Sequence, residues 1–196
     1  MLTLLCALAL ATEPPEPEPV SLRFAIRGVA EQWNEPALAS VYKAGAPIGA
    51  VSFGLPLTDA LWLDLEVGYR HLASEEDEEL ALHLIPASLL AEWSFGHGLA
   101  RPFLAAGPTI TAFQEQHAPD AEGIGATGGA RLAGELRVGF RVDTGLVQQR
   151  RAPAPNPVKS VGIEVYAGRR QSRPIGGRTG FDLGAWRAAI GLSLAL

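Results

Sequence analysis

The chain has 196 residues, 47% of them hydrophobic and 19% charged, with a formal net charge of -5. That balance excludes a disordered chain, and the acidic sign leaves no basic face for a nucleic acid. No apolar run reaches the roughly 18 residues that a membrane-spanning helix needs, yet the mean hydropathy is positive at +0.13.

Residues 1–11 (MLTLLCALALA) are an apolar stretch of signal-peptide length. It closes on Ala9, Leu10 and Ala11, an A-x-A cleavage pattern, although no Lys or Arg precedes it. The structural alternative for this stretch is a buried N-terminal strand or helix. The one cysteine, Cys6, lies inside the stretch. A chain cut after residue 11 therefore has no disulfide, thiol nucleophile or thiolate metal site. Leu4 and Leu5 before Cys6 are not the small residues that lipid attachment requires. Residues 12–19 (TEPPEPEP) alternate Pro with Glu and form a stiff, extended linker. The remaining 20–196 read as one β domain.

From Val20 onward the dominant period is two, the signature of a strand with two unlike faces. In 61–71, Leu61, Leu63, Leu65, Val67 and Tyr69 share a face, while Asp64, Glu66 and Arg70 share the other. In 131–143, Leu132, Leu136, Val138, Phe140 and Val142 oppose Arg131, Glu135, Arg137, Arg141 and Asp143. The C-terminal residues Trp186, Ala188, Ile190, Leu192, Leu194 and Leu196 alternate with Arg187, Gly191 and Ser193. A helix would scatter these sets around its circumference. The same rule predicts strands at 21–31, 46–57, 61–72, 81–95, 101–114, 126–144, 160–171 and 181–196. Several exceed the roughly 5–6 residues of a mean strand. Connections alternate between short (58–60, 96–98) and long, polar or Gly/Pro-rich (32–47, 74–80, 115–125, 172–180), as in a transmembrane barrel. The segment 145–159 breaks this rule, and a ten-strand count stays open. The unbroken apolar parity from Leu132 to Leu146 favours eight.

Alternation alone does not say which face points out, since a lipocalin-like soluble barrel holds its apolar row inside. Three features favour apolar-out. Lys43 and Lys159 are the only lysines; the polar rows mix Glu and Arg with small residues, as a narrow lumen needs; and the last strand runs to Leu196. With these phrases in hand (VSFGLPLTDALWLDLEVGYRH, LARPFLAAGPTITA and the alternating C-terminus), 20–196 resembles the small outer-membrane β-barrel proteins of Gram-negative bacteria, the OmpA/OmpX/OmpW-like group. The resemblance implies an all-β, eight-stranded, antiparallel up-and-down transmembrane β-barrel in the cell outer membrane, with both ends in the periplasm. It implies outer-membrane lipids and the barrel insertion machinery as partners, and a monomeric, porin-like or OmpA-like membrane protein is the expected form. The C-terminal assembly signal would be Trp186, Ile190, Leu192, Leu194 and Leu196; that signal normally ends in an aromatic residue, and Leu196 departs from it. Members range from anchors and adhesins to small channels and a few enzymes, so fold does not determine function.

The informative constellation is the set of charges predicted to face inward: Arg23, Arg27, Asp64, Glu66, Arg70, Glu92, Arg131, Glu135, Arg137, Arg141, Glu164, Arg170 and Arg187. Eight strands leave an interior about wide enough for side chains to fill. Unpaired charge there is costly, so a paired network is expected in place of an open, ion-selecting pore. The Arg excess leaves room for a small anion-attracting vestibule. Other motifs carry less. Gly123, Gly125 and Gly128 match GxGxxG but lack the strand before and helix after that a dinucleotide site needs. The acidic run 75–79 lacks the spaced ligands of a calcium loop. His71, His83, His97 and His117 show no metal spacing, and Asp64, His83 and Ser88 make a catalytic set only in composition, with no G-x-S-x-G elbow. No catalytic residue, metal site or cofactor is therefore expected. Trp93, Phe95, Phe103, Phe113, Phe181 and Trp186 lie toward strand ends, where interfacial girdles would place them. The expected function is non-enzymatic, structural or surface-interacting. A soluble periplasmic barrel around an apolar ligand and a small-solute channel are the alternatives.

Overall fold

A computed structural model describes residues 22–42, 47–74, 80–96, 99–116, 126–143, 160–174 and 182–196. The leader 1–11, the linker 12–19, the acidic run 75–79, the segment 145–159, His97, His117, Phe181 and the first half of the GxGxxG stretch, 123–125, lie outside these residues.

The strands are β1 (Arg23–Trp33), β2 (Ile48–Pro56), β3 (Leu61–Ala73), β4 (Ala81–Ser94), β5 (Ala100–Gln116), β6 (Ala126–Asp143), β7 (Ser160–Pro174) and β8 (Ala185–Ala195). Each pairs antiparallel with its neighbours in sequence, and β8 closes onto β1. This is an all-β, eight-stranded up-and-down barrel. The ten-strand alternative falls because β6 and β7 pair directly, from Arg131↔Pro174 to Asp143↔Gly162. The predicted strand at 181–196 begins later, at Ala185. One element is additional: helix α1 (Pro36–Val41) sits in the long β1–β2 connection, with Pro36 at its first turn. A proline there forfeits no hydrogen bond, because the first-turn N–H groups have no intrahelical acceptor.

Closure fixes two ends. Chain starts and stops meet at one: Arg23 pairs with Ala195, and the tight 57–60 turn lies beside them. In that turn Leu57 N–H donates to Leu61 O at 2.8 Å, and Thr58 Oγ1 accepts from Ala60 and Leu61 N–H at 3.3 and 3.0 Å. Gly96, with φ of 76°, makes the β4–β5 turn possible, because a Cβ would be strained in that left-handed conformation. The connections 34–47, 74–80, 117–125 and 175–184 lie at the opposite end, whereas 144–159 joins β6 to β7 at the chain-terminus end.

The alternation resolves as apolar outside and polar inside. Ile26, Phe53 and Ile190 are 58%, 57% and 63% exposed, whereas Arg27, Glu66 and Arg137 are 2–3% exposed. The soluble, lipocalin-like alternative calls for the opposite arrangement, with the apolar row inside. The few buried apolar groups are small and local. Leu38 and Tyr42 from the β1–β2 connection pack with Leu72, Leu82, Leu84 and Leu183 inside the long-loop end. Tyr42 also pairs through its backbone with Ser74, and its phenol donates to Glu115. Burial, together with that acceptor, holds the phenol above the ordinary tyrosine range.

Candidate functional site: the charged lumen

Arg23, Arg27 and Glu31 follow one another at intervals of four on the inward face of β1. Asp64, Glu66 and Arg70 on β3, and Arg131, Glu135, Arg137 and Arg141 on β6, follow at intervals of two or four. Spacing by even numbers puts them on one face, and antiparallel closure then brings the faces together across the axis. All thirteen charges predicted to face inward are buried.

Toward the chain-terminus end, Arg23 grips Glu92 with two parallel bonds of 2.9 Å and reaches Asp64 at 2.8 Å. Arg141 donates to the same Glu92 at 3.0 and 3.1 Å and to Glu164 at 3.3 Å. Arg27 bonds Glu164 and, at 2.6 Å, Glu66. Higher in the barrel, Arg137 forks onto Glu66 at 2.6 and 2.9 Å and donates to Glu135 at 2.7 Å. Glu135 also accepts from Arg187, and from Thr109 at 3.0 Å. Paired forks of this kind are the strong form of the interaction and fix geometry as well as energy. The arginine faces rest on aromatic rings: Arg137 lies 4.6 Å over Tyr166, Arg23 4.8 Å over Trp62 and Arg70 5.0 Å over Trp33. Such stacking screens a guanidinium plane from apolar surroundings while its edge stays free to bond.

Glu31 is the residue that sequence reading missed. Its carboxylate takes Arg187 at 2.9 Å, Arg170 at 3.2 Å and Arg70 at 3.7 Å. The signal was present, since Glu31 continues the parity of Arg23 and Arg27. Its place at the edge of the predicted strand hid it. The remaining predicted groupings separate. Asp64 and Ser88 face the lumen, but His83 faces out, where its Nδ1 meets the Tyr69 hydroxyl at 2.9 Å. The three therefore cannot act as a catalytic set. His71 and His83, without metal spacing in the sequence, are opposite one another on β3 and β4 with ring centroids 4.8 Å apart. Among the described residues, no three His, Cys, Asp or Glu side chains converge as metal ligands would. Of the strand-end aromatics, Trp93, Phe95 and Trp186 face out. Phe103 instead lies in the lumen under Arg141, and Phe113 packs against the apolar cluster under Arg131. These two are packing residues because their odd parity on β5 points inward. Trp186, Ile190, Leu192, Leu194 and Leu196 all follow the outward parity of β8.

What the arrangement can do follows from its polarity. Among the described residues, guanidiniums and carboxylates are interleaved in ion pairs that fill the middle of the lumen and tie the wall strands to one another.

No protein family and no curated protein matches the sequence. Solved structures do. The N-terminal β-barrel domain of Pseudomonas aeruginosa OprF is similar with a TM-score of 0.53 at 15% identity, covering 90% of this chain and 97% of that one. Neisserial surface protein A gives a TM-score of 0.46 at 11% identity over 90% and 94%. The outer membrane enzyme PagL gives 0.43 at 12% over 89% and 98%. The fold is therefore that of the small eight-stranded outer-membrane barrels, the group the sequence resembles. The fold by itself leaves the role open.

Proposed function

We propose that this chain is a non-enzymatic β-barrel of the Gram-negative outer membrane, with a structural or surface-interaction role. The observation that carries this reading is the direction of the alternation. An apolar belt that faces outward around a closed strand ladder suits lipid and is unfavourable in water, and closure leaves no unpaired strand edge in hydrocarbon. The ion-paired lumen supports an anchor over a small-solute channel, because guanidiniums and carboxylates occupy the path an ion would take. In this reading the long-loop end with α1 faces outward, both termini face the periplasm, and outer-membrane lipids surround a monomer. Trp186, Ile190, Leu192, Leu194 and Leu196 serve the insertion machinery during biogenesis.

Cell fractionation tests it. The expected result is recovery in the outer membrane, extraction only with detergent, and a gel mobility that shifts on heating. Release as a soluble periplasmic protein overturns it.

A further inference from the structure

On the exterior of the described strands, charge is confined to one stretch of β7. There Arg169, Gln171 and Arg173 face outward toward the long-loop end. Among the described residues, these two arginines are the only Asp, Glu, Lys or Arg at outward strand positions. A guanidinium on a lipid-facing wall is unfavourable unless it lies near headgroups or meets an anion.

The strand register sets a depression beside them. Gly134 on β6 pairs with Gln171 of β7 on one side and with Pro108 of β5 on the other. A Cβ built on Gly134 would meet nothing within 4 Å. The next outward residues along its strand, Leu132 and Leu136, pair with Arg173 and Arg169. The result is a groove of about 700 Å³ with an apolar half on β5 and β6 and a polar half on β7. Arg169 lies 5.2 Å over the Trp186 ring, which holds its guanidinium against the wall beside the groove.

We propose that this groove binds a phosphorylated lipid of the surrounding leaflet, with its phosphate between Arg169 and Arg173 and one acyl chain over Gly134. Both halves of the groove are needed to select that occupant. A free phosphate leaves the apolar half bare, and a neutral lipid leaves two guanidiniums without a counter-charge. The guanidinium fork matches phosphate geometry, and the Gln171 amide between the arginines adds a further donor. The site rests on the outer-membrane reading above, which puts the long-loop end and hence these arginines at the depth of the outer headgroups.

The test uses the full barrel refolded in detergent micelles, with diphosphoryl lipid A as probe and native mass spectrometry as readout. Dephosphorylated lipid A and inorganic phosphate are run in parallel, and the heat-dependent gel shift reports folding of every protein. Wild type is expected to retain lipid A. The double variant Arg169→Gln with Arg173→Gln, and separately Gly134→Leu, which fills the groove, should each weaken retention by about tenfold or more. Wild type should hold the dephosphorylated lipid no better than the arginine variant holds lipid A. If Gly134→Leu does not fold, the arginine variant and the dephosphorylated lipid decide the matter. Equal retention of lipid A by folded wild type and folded variants overturns the groove and leaves the membrane reading standing. So does equal retention of the dephosphorylated lipid, and so does complete displacement of lipid A by inorganic phosphate. A wild type that never enters micelles as a folded barrel overturns both.

Discussion

Glu66 joins the two halves of the lumen. Its carboxylate meets Arg27 at 2.6 Å, Arg137 at 2.6 and 2.9 Å and Arg187 at 3.6 Å, all at side chains nearly out of reach of solvent. Removing one charge from such a cluster leaves its partners buried and uncompensated. Glu66→Gln, which keeps the shape, should therefore destabilise the barrel by about 3–5 kcal/mol. Denaturant unfolding in micelles measures this, and a loss below about 1 kcal/mol, the range of solvent-exposed pairs, would show that water replaces the pairing. At this scale the sequence was nearly sufficient. Parity alone predicted the inward side of Glu66, Glu92 and Glu164, because a strand assigns faces by counting. It could not say that Glu66 would be gripped by arginines from β1 and β6, since those contacts run across the axis and depend on closure.

Among the strands, β5 shows how local sequence bends a regular element. Pro108 lacks the N–H that a sheet interior requires, so the β4–β5 ladder passes from Ser88↔Thr109 to Ala91↔Ala106 with the intervening residues unpaired. Gly107 lets the strands come close at this point: a Cβ there would stand 2.0 Å from the Leu89 carbonyl oxygen, a backbone atom that cannot swing away. Gly107→Ala should lower stability by about 1–3 kcal/mol through forced separation of β4 and β5. Gly28→Ala, where a Cβ meets nothing within 4 Å, should be neutral or slightly stabilising by reducing the freedom of the unfolded chain. Urea midpoints of the two variants compare them directly, and equal losses would remove the close approach as the cause. Helix α1 belongs to the same scale. Pro36 is compatible with a helix start, but six residues offer too little periodicity to separate a helical turn from a loop.

At the scale of the whole molecule, the barrel inverts the usual distribution, with charge at the axis and hydrocarbon outside. Guanidinium–carboxylate forks occupy the middle of the lumen, and the cluster around Leu38, Tyr42 and Leu183 packs inside the long-loop end. Purified barrel reconstituted in planar bilayers should therefore give no steady conductance. Stepwise openings at moderate voltage would show instead that the network parts to make a path.

The amino-acid sequence by itself determined where the strands lie, their ends to within a few residues and the face on which nearly every charge lies, while the direct pairing of β6 with β7 decided the count of eight. Those properties are local: a period of two maps directly onto two faces, and turn residues punctuate it. Only the tertiary structure decided who meets whom. Barrel closure and register brought Glu31 into contact with Arg70, Arg170 and Arg187, set His71 beside His83 of the neighbouring strand, and turned Phe103 and Phe113 from candidate girdle residues into packing. The same register set the bare Cα of Gly134 between Pro108 and Gln171. Side-chain partners across a barrel are separated by tens of residues along the chain, and no local pattern encodes the stagger that aligns them.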